Sequence, residues 1–275
     1  MSSGPSETEL RDGLGIDASA PATDERESAA MTQQPYAQWL ATEGARLDEI
    51  ATRAEANPDD WQRAIPRCEG WDLEGLIGHC AGVWTFVGSS IAAGGPVERD
   101  SIIQPDCSLS QWHADALARI TDVLADRDPS EPSWSFHPHN QTIGFWQRRM
   151  ANEAVMHRWD AQAAYGPTPA PIEPAAAIDG IDELFDFFLP VRQPDVFAGN
   201  GQTIHLHATD ADGEWVITRT QSGIEVEHAH RKCDVAARGP AQSLLLFVWG
   251  RGGTEQLETF GDDSLLADWQ REVRI

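Results

Sequence analysis

The chain is short of basic side chains. Its 275 residues carry 20 Lys and Arg against 44 Asp and Glu, a formal net charge of −24. A nucleic-acid interface needs a basic footprint to neutralise phosphates, and docking on an anionic membrane needs the same, so the expected partners include no nucleic acid and no membrane. The acidity itself is ordinary solubilising charge. Cysteine is scarce too. Cys68, Cys80, Cys107 and Cys233 form no C-x-x-C pair and are too sparse for a disulfide framework, which implies reduced thiols and a cytoplasmic setting. No apolar run reaches the ~18 residues that suggest a membrane span, and no basic stretch followed by an apolar one marks a secretory signal at the N-terminus. Familiar catalytic signatures are missing as well: there is no G-x-S-x-G elbow, no Walker loop and no H-E-x-x-H. The run "GRGG" (250–253) does not lead into a phosphate-binding helix.

What is present is a globular core, with 41% hydrophobic residues and 11 tryptophans. Residues 1–31 are polar and acidic, too poor in large apolar groups to offset their ordering entropy, and read as a disordered tail. From Tyr36 apolar residues recur at helical intervals. A first helix ends at "NPDD" (57–60), and a second follows the "CEGWD" turn (68–72) with Asp72 as N-cap and stops near "AAGGP" (92–96). A third fits 109–126 and a fourth runs from about Phe145 to Ala164. Four such helices over 32–170 predict an up-down bundle. Beyond the Pro-rich "YGPTPAPIEP" (165–174) comes one more helix, 175–189. Four alternating segments then follow (202–209, 214–220, 223–230 and 233–239), and helices at 240–251 and 264–270 close the chain. Residues 171–275 therefore read as a small α+β domain built on an antiparallel sheet.

One stretch of the fourth helix, "NEAVMHRWDAQ" (152–162), sets Glu153 and His157 four residues apart, on one helix face. That pair is either half of a metal site or a surface ion pair. Trp146 and Met150 share its stripe, which turns it inward, where an unpaired charge is costly. His79, on the apolar face of the second helix, offers a third donor. Two imidazoles and a carboxylate with one open position form a usual catalytic zinc set, and other first-row divalent ions suit them too. Asp160 is either an acceptor that orients a ligand or a surface acid. His113 reads as exposed, Cys80 as core, and "HPHN" (137–140) as loop. His205 and His207 alternate on one strand face, as do His228 and His230, and such histidines either hold a metal or simply face solvent.

Taken in order, "CEGWDLEGLIGHCAGV" (68–83), "NEAVMHRWDAQ" (152–162) and "ARGPAQSLLLFVWGR" (237–251) resemble the mycothiol-dependent maleylpyruvate isomerase family. The resemblance covers roughly 32–270. It implies a DinB-like four-helix bundle joined to an α+β domain similar to sterol carrier protein 2. It also implies a metal, typically zinc, on His79, Glu153 and His157, with mycothiol as thiol cosubstrate and a C-terminal arginine, Arg251, at the active site. The expected activity is S-transfer from the thiol to an electrophilic small molecule. The alternatives are a maleylpyruvate-type cis-trans isomerase and a non-catalytic small-ligand-binding metalloprotein. A dicarboxylate substrate would call on Arg148, Arg149, Arg158 or Arg251, and the loop 94–108, with Cys107, would border the pocket. A bundle with a lid domain is compatible with a monomer.

Overall fold

The computed structural model describes residues 35–274, and the tail expected over 1–31 lies outside them. Four long helices come first: α1 (Tyr36–Ala56), α2 (Leu73–Ala93), α3 (Leu109–Leu124) and α4 (Ile143–Ala163). Their starts are encoded locally. Asp72, Ser108 and Thr142 each hold extended backbone, and each side-chain oxygen accepts a hydrogen bond from the N–H three residues on, which satisfies one of the orphan donors of the first turn. α2 ends at Gly94, whose φ of 69° is the left-handed conformation that glycine adopts freely. α1 packs along α4, and α2 along α3. Inside α1, a Cβ on Gly44 would lie 2.4 Å from Leu117 Cδ1, so the Leu117 side chain of α3 occupies the space that a side chain there would take.

The bundle core gathers Leu40, Leu47, Leu76, Ile77, Trp84, Ile120 and Trp146. By length and composition α2 is apolar enough to cross a membrane, which the sequence reading did not anticipate. In the fold its Leu76, Ile77, Cys80 and Trp84 are buried. His113 corrects a second expectation, because it is fully buried rather than exposed. Its Nδ1 pairs with Asp48 of α1 and its ring tilts against Trp84. The anchoring carboxylate comes from another helix, which periodicity within α3 does not reveal.

α5 (Pro174–Glu183) continues as π-helical turns over Leu184–Arg192, with Pro190 inside and beyond the expected end at 189. A five-stranded sheet follows in the order β3-β2-β1-β4-β5. Its strands are β1 (Thr203–Ala208), β2 (Glu214–Thr220), β3 (Gly223–Glu227), β4 (Val235–Gly239) and β5 (Glu258–Gly261). The sheet is mixed rather than antiparallel: β1 and β4 run parallel, while the other pairings are antiparallel. Alternation fixes which side chains face the core but not the direction of the neighbouring strand, and β5 had no counterpart in the sequence reading. Ile204, Leu206, Trp215, Ile217, Val235 and Ala237 pack under α6 (Ala241–Val248) and α7 (Ser264–Glu272) in a second core. α4 serves both cores. Trp146, Met150 and Ala154 belong to the first, and Ala151, Val155 and Met156 to the second.

Arg158 also belongs to this architecture and not to a pocket. Its side chain is fully buried. It donates to Glu43 Oε2 at 2.5 Å, Ala170 O at 2.5 Å and Pro171 O at 3.3 Å, joining α4 to α1 and to the Pro-rich connection. Arg148 is likewise engaged, with Asp179 at 3.1 Å and Asp186 at 3.2 Å. Removing one partner of a buried ion pair strands the other, at about 3–5 kcal/mol. Arg158→Met is therefore expected to lose stability on that scale in urea titration, and Glu43→Gln combined with it to recover part of the loss.

Candidate functional site

His79 of α2 and Glu153 and His157 of α4 converge where α4 passes between the two cores. His79 Nε2 lies 2.8 Å from Glu153 Oε1, and His157 Nε2 lies 3.3 Å from the same oxygen. One donor atom from each of the three residues can be chosen with all of them within 4.8 Å of one another. The imidazole rings meet edge to face, their centroids 5.1 Å apart. Trp71, from the turn before α2, sets its ring edge-on to His79.

The two members on α4 are held from behind. His157 Nδ1 lies 3.2 Å from Asp160 Oδ2. Against the effect of burial, Glu153 and Asp160 raise the imidazole pKa to about 9. With Nδ1 donating to Asp160, a bound cation that displaced the Nε2 proton would meet a lone pair facing His79 and Glu153. Asp160 is itself buried and lies 3.4 Å from Arg251 Nε. Glu153 Oε2 accepts from Arg149 Nη2 at 2.5 Å, and Arg149 reaches on to buried Glu183. Burial opposes ionisation of Glu153, but His157 and Arg149 outweigh it and hold the carboxyl well below its usual range. For Glu183 burial wins, and the carboxyl is pushed up to about 7 despite Arg149. Burial also raises the thiol of Cys80, next to His79, with Glu153 and Asp160 adding to the effect.

The donor set fits a divalent transition ion. Two imidazoles with their proximal nitrogens aimed at one ionised carboxylate are a three-ligand arrangement that leaves a further coordination position free. The open side faces a cavity of about 670 Å³. Its apolar wall includes Trp71, Phe136, Met150, Phe187, Phe188 and Trp249. Six arginines also line it: Arg67, Arg99, Arg149, Arg192, Arg251 and Arg274. Arg67 holds a left-handed backbone conformation, φ 64°, which is uncommon for a residue with a side chain. Arg99 lies over the rings of Phe86 and Phe136, 4.8 and 5.3 Å from their centroids. The π-helical segment supplies Phe187, Phe188 and Arg192, in keeping with the frequent occurrence of π turns at functional sites.

The family model for the mycothiol maleylpyruvate isomerase N-terminal domain matches residues 40–162, and that for the MDMPI C-terminal domain matches residues 175–268. The chain belongs to the mycothiol-dependent maleylpyruvate isomerase family of enzymes. Among solved structures, the mycothiol-dependent maleylpyruvate isomerase superposes with a TM-score of 0.59 at 13% identity, covering 82% of this chain and 92% of that one. A histidine-to-alanine mutant of a mycothiol-dependent maleylpyruvate isomerase gives the same values. That likeness is one of fold. No curated protein matched the chain in a search by sequence.

Of the arginines considered from the sequence, Arg149 and Arg251 line the cavity of this family member, whereas Arg148 and Arg158 do not. The loop 94–108 reaches it through Arg99, and Cys107 does not line it. Arg67, Arg192 and Arg274 were missed. Arg67 adjoins the "CEGWD" turn and Arg192 follows a proline inside a helical pattern, both visible signals, but nothing local marks Arg274. Glu183 has a pH consequence. Its carboxyl is raised from 4.5 to about 7 by folding, so between those values the folded state binds a proton that the unfolded state has released, and stability falls as pH rises. Glu183→Gln abolishes that slope. Relative to the parent, the variant is expected to gain up to about 3 kcal/mol between pH 4.5 and pH 7, read by urea denaturation at the two pH values.

Proposed function

We propose that the protein is a mycothiol-dependent metalloenzyme that holds a divalent ion, zinc, through His79, Glu153 and His157 and transfers a low-molecular-weight thiol, through its sulfur, to an anionic electrophile. The observation that carries this reading is the convergence of that donor set at an arginine-lined cavity. When bound, the ion supplies a Lewis acid that keeps a thiol ionised near neutral pH. The remaining tasks fall to side chains. Asp160 fixes the ring of His157 and its tautomer, and Arg251 balances the charge of Asp160. Arg67, Arg99 and Arg192 form no ion pair among the described residues, so their guanidinium groups are available to carboxylates of the electrophile and to negative charge developing on it. Trp71, Phe187 and Phe188 wall the cavity and limit water around the reacting carbon.

In S-transfer, the sulfur bonds to an electrophilic carbon and the leaving group departs with its electron pair. The arginine lining also suits a second reading, a cis-trans isomerase acting on an unsaturated dicarboxylate. There the sulfur adds to one alkene carbon, the resulting single bond rotates, and the sulfur leaves the trans product unchanged. Both readings ask the same of the protein, namely an ionised thiol and an acceptor held close to it.

Metal analysis tests the site. His157→Ala and His79→Ala are each expected to lower bound divalent metal by about one equivalent and to abolish turnover of mycothiol with an electrophile, followed by mass spectrometry. Unchanged metal content in both variants would refute the assignment. Asp160→Asn is expected to weaken metal affinity by about 10–100-fold. Metal binding without turnover of any thiol would leave a non-catalytic ligand-binding metalloprotein. For the cavity, Arg192→Ala is expected to raise KM for a dicarboxylate acceptor by about tenfold, the equivalent of 1.4 kcal/mol, with a smaller change in kcat. An unaltered KM in both Arg192→Ala and Arg99→Ala would remove the anionic-substrate reading.

A further inference from the structure

A second group of donors lies in the sheet domain. His205 and His207 project from one face of β1. Glu214, the cross-strand partner of His207 on β2, shares that face. The opposite face, with Ile204, Leu206, Trp215 and Ile217, is buried in the second core. His230 arrives from the connection between β3 and β4. That connection has an unusual path. β3 ends beside Val216, which pairs with His205, and β4 begins beside Ile204, only one residue further along but on the other side of β2 and β1 in the strand order. Residues 228–234 must therefore cross the outer face of the sheet, over β2 and β1, in irregular backbone. The histidine cluster lies beneath that crossing.

The four residues meet closely. His207 Nδ1 is 2.5 Å, His230 Nδ1 3.0 Å and His205 Nε2 3.7 Å from the Glu214 carboxylate. The ring of His230 stands 5.1 Å from that of His205 and 6.2 Å from that of His207. One donor atom from each residue can be chosen with all four within 4.8 Å of one another. His205 is 7% exposed, and its Nε2 is buried with no hydrogen-bond partner. A buried ring nitrogen left unsatisfied is destabilising. A cation bound by the imidazoles and the Glu214 carboxylate would give that nitrogen a partner.

We propose that His205, His207, Glu214 and His230 form a second, structural site for a divalent transition ion, most simply zinc. Three imidazoles exclude calcium and magnesium, which take oxygen ligands. Four protein donors complete a tetrahedral zinc shell, whereas the three donors of the cavity leave a position open. The second site has no such opening. Its effect is mechanical: it pins the 228–234 crossing to the centre of the sheet.

Zinc stoichiometry on the purified full chain, measured by elemental analysis after equilibrium dialysis against Zn²⁺, tests the proposal. Relative to the parent, the double variant His207→Ala/His230→Ala is expected to bind one equivalent fewer, while His157→Ala retains the equivalent that the double variant loses. Both substituted residues are at least partly exposed, and the near-isosteric Glu214→Gln, which leaves the imidazoles in place, is expected to weaken the same equivalent. A local readout is independent of the cavity. Zinc should slow tryptic cleavage after Arg231 and Lys232 in the parent and fail to do so in His230→Ala. Equal zinc content in the parent and both cluster variants, or cleavage at the crossing that ignores zinc in the parent, would overturn the proposal.

Discussion

The carboxylate of Glu153 is the group on which the centre of the molecule depends. It is almost fully enclosed, yet it is ionised, and three cationic or polar partners from two helices close on it: His79, His157 and Arg149. An isolated charge at that depth would not be tolerated. Each partner in turn needs support. Asp160 holds His157, Arg251 holds Asp160, and Glu183 shares Arg149. Charge compensation thus runs outward from one oxygen pair in α4 to α2, α5 and the segment after α6. The same chain of contacts that makes burial possible fixes the orientation of Glu153 and His157.

Charge is distributed unevenly over the molecule. The chain as a whole is strongly acidic, yet six of its cationic side chains face one cavity. Arg148 and Arg158, though adjacent in sequence to cavity residues, are drawn instead into contacts with Asp179 and Glu43. Position along α4 decides this. Arg149 lies one turn from Glu153 and faces the cavity, while its immediate neighbour Arg148 points about 100° away.

Much of this was legible in the sequence. Apolar period, with Asp72 as the cap of the second, gave the four bundle helices to within about two residues. The helical phase of Glu153, His157, Trp146 and Met150 turned the pair inward, and His79 supplied a third donor from another helix. The structure brings those three together with Asp160 and Arg251. What escaped were features that depend on partners distant in the chain. The parallel pairing of β1 with β4 is invisible to alternation, which is the same whichever way a neighbour runs. The burial of His113 depends on Asp48, 65 residues away. Arg67 and Arg274 reach the cavity only because the folded chain returns there. The cluster at Glu214 was open in the sequence as alternating histidines, but the crossing segment that covers it was not.

The double membership of α4 bears on how the protein comes apart. A helix that contributes Trp146 to one core and Val155 to the other cannot leave either without exposing apolar surface in both. The two regions recognised by separate family models are therefore thermodynamically one body, and from Tyr36 onward the chain forms a single compact unit. Melting should be all-or-none: the helical signal of the bundle and the aromatic signal from Trp215 and Trp269 in the sheet domain should disappear at one temperature. Neither half then has an unfolding transition of its own, and a chain cut at the Pro-rich connection would yield two fragments that each lack the surface they were shaped against.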